Sequence, residues 1–130
     1  MKSKHKSVNQ PILSYRLKKK FDIVLSVGVL IHQKPSDLRN FYRLLYKLSK
    51  KYIYISEYFN PVPIKIKYRG HITKLFKRDF AKEFWSLYPK MKLINYGFNW
   101  KEDPFKKGSC DNDNWFIFKK SKFFHCSMKM

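Results

Sequence analysis

The seven residues FDIVLSV (21–27) constrain this chain more than any other stretch. A continuous apolar run of this length reads as a strand buried on both faces, as in a parallel sheet. The next thirty residues set the topology. Ser36 is placed to cap a helix, with Asp37 in its first turn. Leu38, Phe41, Tyr42, Leu45 and Leu48 then recur at helical spacing, while Arg39, Arg43 and Lys47 run down the opposite face. This helix is expected to end near Lys51. YIYISEYF (52–59), rich in β-branched and aromatic residues, is the next strand. Strand, helix and strand in that order imply a parallel pair joined by a right-handed crossover.

The remaining segments extend this α/β pattern. Residues 60–76, with two prolines and a glycine, read as a long and mostly irregular connection. KRDFAKEFWSLY (77–88) fits a second helix, with Phe80, Phe84, Leu87 and Tyr88 inward and Pro89 as its stop. Residues 91–100 and 114–120 read as two strands joined by a polar loop, which makes a C-terminal antiparallel hairpin. The aromatic residues fall at positions expected to face a core. Four strands with two main helices make a half-sheet with one side uncovered. At 130 residues the chain holds one domain, flanked by a basic arm (1–11) and a tail (121–130).

Composition narrows the function. The net charge of +20 rests on 29 Lys and Arg, of which five are Arg. Clustered cations gain affinity for phosphates by releasing counterions, so non-specific nucleic-acid affinity is expected. Base and phosphate readers lean on the planar fork of arginine, which is scarce here, and the lysines are spread along the whole chain. Biased composition therefore accounts for the charge better than a nucleic-acid module does. Cys110 and Cys126 form no CxxC pair, and His5, His32, His71 and His125 lack metal-ligand spacing, so no metal site is expected. No G-x-S-x-G elbow surrounds Ser14, Ser26 or Ser56. There is no apolar run of the roughly 18 residues that a membrane span needs, and a cytoplasmic location is the default.

In open α/β sheets, ligands bind at the carboxyl ends of the strands. That rule places Ser26, Val27 and Gly28 at the ligand edge, with His32 in the loop beyond, and leaves Asp22 at the opposite edge. The next strand delivers Glu57, Tyr58 and Asn60 to the same edge, and the connection after it can fold Arg69, Gly70 and His71 over them. Each also has an ordinary structural explanation. His32 could pack against the following helix, Glu57 could pair with a lysine, and YRGH (68–71) could be a surface turn.

FDIVLSVGVLIH (21–32) resembles the fourth strand and following loop of class I S-adenosylmethionine-dependent methyltransferases. EYFNPVP (57–63), YRGH (68–71), LFKRDFAKEFW (75–85), YGFNW (96–100) and DNWFIFKK (113–120) are similar to methylases associated with pseudaminic acid biosynthesis. The likeness covers roughly residues 12 to 120. It implies a partial Rossmann-like sheet equivalent to strands four to seven of that fold, with S-adenosylmethionine as cofactor and a sugar or glycan-biosynthesis intermediate as acceptor. It further implies that Ser26, Val27 and Gly28 lie near the methionine part of the cofactor, with Pro11 and Ile12 near its adenine. His32, Glu57, Tyr58, Asn60, Arg69 and His71 would line the acceptor side, with His32 or Glu57 as the base.

The departure from that family is a missing half. Gly28, Gly70, Gly97 and Gly108 are too far apart for a G-x-G cofactor turn. The expectation is a truncated or split methyltransferase, inactive or nearly so alone. Its partner would be a polypeptide carrying the N-terminal half, or a second copy meeting it at an exposed sheet edge.

Overall fold

Strand β1 (Phe21–Val27) pairs in parallel with β2 (Ser49–Glu57), and helix α1 (Leu38–Leu48) connects them. A hairpin of β3 (Ile64–Tyr68) and β4 (His71–Lys77) comes next, then helix α2 (Phe80–Leu87), β5 (Lys92–Asn99) and β6 (Asp113–Lys119). In this computed structural model, which describes Leu13, residues 19–106 and residues 112–121, the main sheet has the order β1-β2-β6-β5. β6 runs antiparallel to both β2 and β5, so the C-terminal hairpin expected from sequence is present. The basic arm, Ile12 and residues 122–130 lie outside the described residues.

Both helices pack on one face of this sheet. Ile53 and Ile55 of β2 and Phe118 of β6 form a single cluster with Leu38, Phe41, Tyr42 and Leu45 of α1 and with Phe80 and Phe84 of α2. Tyr42 Oη donates to Glu83 Oε2 at 2.7 Å, and Arg78 Nε meets Glu83 Oε1 at 2.6 Å. That chain ties α1 to the start of α2. Burial, reinforced by the Glu83 hydrogen bond, pushes the Tyr42 hydroxyl far above its ordinary pKa.

The other face is open, which corrects the expectation that 21–27 is buried on both sides. Phe21, Ile23, Leu25 and Val27 are between 44% and 60% exposed. The register puts Tyr52 and Tyr54 of β2 and Trp115 and Ile117 of β6 on that same face. These aromatics are therefore not core-facing, as the sequence had implied. Among the described residues β1 pairs only with β2, so its outer edge is unpaired.

Three boundaries differ from the sequence reading. Pro35–Asp37 forms a 3-10 turn ahead of α1, so Ser36 is not the cap; the fixed φ of Pro35 favours that tighter turn, and Leu38 N–H donates to its carbonyl. Helix α1 ends at Leu48 because Ser49 is already extended, with its Oγ donating to the Tyr46 carbonyl. The connection at 60–76 contains a hairpin, turned at Arg69 and Gly70 with φ of 47° and 82°. Positive φ at both positions is the turn geometry that suits the strand twist. In α2, Asp79 caps by accepting from Lys82 N–H at 3.0 Å, whereas Leu87 is exposed and not inward.

Candidate functional site

The carboxyl edge of β1 is built by one glycine and one glutamate. Gly28 N–H donates to the Ser56 carbonyl at 3.0 Å, one step beyond the last strand residue. The chain then turns sharply, with Gly28 at φ 63°. A Cβ there would meet nothing within 4 Å, so glycine is required by conformation and not by space. Leu30 and Ile31 of the following 3-10 turn sink into the core, which leaves His32 facing outward.

Glu57 holds that turn from below. It is only 3% exposed. Its Oε1 accepts from Ser26 Oγ at 3.0 Å, Val29 N–H at 3.1 Å and Leu30 N–H at 3.0 Å, and Oε2 accepts from Ile31 N–H at 3.4 Å. Burial pushes the Glu57 carboxyl above its ordinary range, and these four hydrogen bonds oppose the shift. Leu30 and Ile31 point their amides at the carboxylate while their side chains fill the core. The 3-10 turn is thus fixed from both sides.

A cleft of about 470 Å³ opens above this arrangement. Val27, Gly28, His32, Tyr58, Tyr68 and Asp113 are among its walls. His32 Nδ1 lies 2.7 Å from the Lys74 carbonyl oxygen. A carbonyl only accepts, so Nδ1 carries a proton, and in the neutral ring the free lone pair is on Nε2. The imidazole is further held against the Tyr68 ring, with centroids 5.2 Å apart. Lys77 Nζ stands 5.2 Å from the centre of the Tyr58 ring. The arrangement offers a positioned imidazole base, a phenol and a carboxylate around one opening.

Of the residues singled out from sequence, Val27, Gly28, His32 and Tyr58 meet at this cleft. Ser26 and Glu57 lie beneath it, bonded to each other, and neither lines it. Asn60 is occupied in its own turn, with its amide nitrogen donating to the Val62 carbonyl. Arg69 sits at the hairpin tip over the Tyr68 ring, His71 pairs with Tyr68 across the turn, and neither lines the cleft. Tyr68, Asn99 and Asp113 line it without having been singled out. Asn99 ends β5 and Asp113 begins β6; tracing the antiparallel pair back to the same edge would have found both. Among the described residues no group of three His, Cys, Asp or Glu is placed to hold a metal. No helix among them is long and apolar enough to cross a membrane.

No protein-family model and no curated protein matches this sequence. Solved structures do match it. The 1,6-didemethyltoxoflavin-N1-methyltransferase of Burkholderia thailandensis, crystallised with 1,6-didemethyltoxoflavin and S-adenosylhomocysteine, is 15% identical with a TM-score of 0.64. The alignment covers 88% of this chain and 50% of that one. The magnesium protoporphyrin IX methyltransferase of Synechocystis, with bound S-adenosylmethionine, is 13% identical with a TM-score of 0.58, covering 88% of this chain and 45% of that one. A S-adenosylmethionine-dependent methyltransferase of Clostridium acetobutylicum is 8% identical with a TM-score of 0.55, covering 85% and 63%. The chain therefore has a fold seen in S-adenosylmethionine-dependent methyltransferases and spans about half the length of the first structures it matches.

Proposed function

We propose that this chain is the acceptor-side half of a S-adenosylmethionine-dependent methyltransferase, acting on a sugar or a glycan-biosynthesis intermediate. The observation that carries the reading is the cleft at the carboxyl edge, where His32, held through Nδ1 by the Lys74 carbonyl, lies beside Gly28 and Tyr58. The sugar class is supported by the likeness of EYFNPVP (57–63), YRGH (68–71) and FKRDFA (76–81) to the pseudaminic acid-associated methylases.

The residues present fit the reacting end of such a cofactor. The open space beside Gly28 admits a ligand against backbone, with Val27 as an apolar neighbour. The cofactor supplies a methyl group on a sulfonium. His32 Nε2, in the neutral ring, would accept the proton that the acceptor hydroxyl or amine gives up. Tyr58 and Tyr68 confine the acceptor, and alignment of donor and acceptor carries much of the rate. Glu57, with both oxygens already accepting hydrogen bonds, positions the turn that presents His32 and is not the base. The described residues offer no Gly-rich turn for the rest of the cofactor, so further polypeptide supplies it.

The test is calorimetric titration of S-adenosylmethionine, first into the chain alone and then into the chain co-expressed with the polypeptide encoded immediately upstream. Negligible heat alone and saturable binding in the complex are expected. Micromolar binding by the chain alone overturns the split-site reading, and binding without methyl transfer to any sugar nucleotide overturns the acceptor class.

A further inference from the structure

Behind His32 lies a second cavity, of about 820 Å³, between the 3-10 turns and the β3–β4 hairpin. It is lined by His32, Lys34, Pro35, Lys65, Tyr68, Lys74 and Phe76. His32 and Tyr68 belong to both cavities, so the two spaces meet across this pair of rings. Three of the seven lining residues are lysines and none is acidic. The three come from different elements: Lys34 precedes the second 3-10 turn, Lys65 lies on β3 and Lys74 on β4. The ion pair of Arg78 with Glu83 involves none of these three lysines. Three cationic side chains around one space repel one another, and an anion placed between them relieves that repulsion. The walls between them are the exposed Pro35, the Tyr68 ring and the buried Phe76.

We infer that this cavity binds the distal part of the acceptor, and that the acceptor joins a ring-bearing body to a phosphate or carboxylate group. The ring lies against Tyr68, Pro35 and Phe76, and the anion sits among Lys34, Lys65 and Lys74. This deepens the methyltransferase reading by naming the charge of its acceptor, and rests on that reading only for the word acceptor. Anion binding here is testable without methyl transfer. The hairpin has a specific place in it. Lys74 lines the cavity, and its carbonyl accepts from His32 Nδ1, so the strand that borders the anion site also orients the imidazole.

The experiment tracks the assigned His32 ring proton by NMR in the full chain while phenyl phosphate, benzoate, inorganic phosphate and benzyl alcohol are titrated separately. The expected result is saturable movement of His32 with phenyl phosphate or benzoate, at least tenfold tighter than with inorganic phosphate or the neutral alcohol. Which of the two aryl anions binds better distinguishes a phosphate-bearing from a carboxylate-bearing acceptor. A chain of net charge +20 attracts anions everywhere, so a charge-matched control is needed. The triple variant K34Q/K65Q/K74Q should weaken binding at least tenfold, while K50Q/K51Q/K92Q, remote from the cavity, should weaken it less than twofold. Equal losses in the two triples, or no saturation of His32 by either aryl anion, overturn the inference. Loss of cofactor binding in the complex, with this anion site intact, would remove the methyltransferase reading and leave the site standing.

Discussion

His32 and Glu57, the two residues that the sequence offered as the base, sit in different places: Glu57 is buried under the turn and His32 faces the cleft. Replacing Glu57 by Ala strands three amide donors and the Ser26 hydroxyl, which should cost about 3 kcal/mol or more in urea unfolding. Glu57→Gln keeps an oxygen where Oε1 accepts three of the four bonds and should cost under about 1 kcal/mol. Equal losses in the two variants would mean that the clamp is not what holds the turn. The sign of the pH effect comes from burial. The folded carboxyl is raised above its ordinary 4.5, so between those values the native chain keeps a proton that the unfolded chain has released. The contribution of Glu57 to stability is full below 4.5 and is lost as pH rises through the folded value, and Glu57→Gln should flatten that slope. His32→Gln tests the other role. In the assembled enzyme it should lower kcat by about 10²–10⁴ with little change in stability, because His32 is exposed and bonded only through Nδ1.

The elements show what local pattern can and cannot reveal. Apolar spacing in 38–48 and 80–87 was legible because each helix has one face to bury, and Phe41, Leu45, Phe80 and Phe84 are buried. The hairpin at 64–77 was not, since Pro61 and Pro63 masked the alternation of Ile64, Ile66 and Tyr68 with Lys65 and Lys67. Its loss had a consequence for the site, because Tyr68 and Lys74 reach His32 only through that pairing. Glu57 was legible as a strand-end residue, but its direction was not. A two-residue periodicity fixes which face a side chain takes only once one face is known to be covered. Gly97 illustrates a constraint that no pattern announces. A Cβ there would come within 2.5 Å of the Trp115 ring, which lies across the glycine from the paired strand. Gly97→Ala should therefore destabilise by about 1–3 kcal/mol and shift the tryptophan emission as the ring is displaced. A variant as stable as the parent, with unchanged emission, would show that the ring has room to move.

At the scale of the molecule, one sheet face is finished and the other is not. Doubly wound sheets carry helices on both faces, and here α1 and α2 share a single face. The open face combines the aliphatic Ile23, Leu25 and Val27 of β1 with Tyr52, Tyr54 and Trp115 on the neighbouring strands. The full chain should bind hydrophobic dyes and associate at micromolar concentrations. Added salt should strengthen the association, because it screens the repulsion between copies of charge +20. The double variant I23K/L25K should sediment as a monomer where the parent does not, with an unchanged far-ultraviolet spectrum. A parent that stays monomeric and dye-free at high salt would mean that the open face is tolerated without a cover. If a cover is required, the unpaired edge of β1 also sets a lifetime. Molecules made in excess of whatever covers them spend longer in open forms, where proteases act on them. Their abundance in the cell would then follow the scarcer of the two components, whatever the rate at which this chain is synthesised.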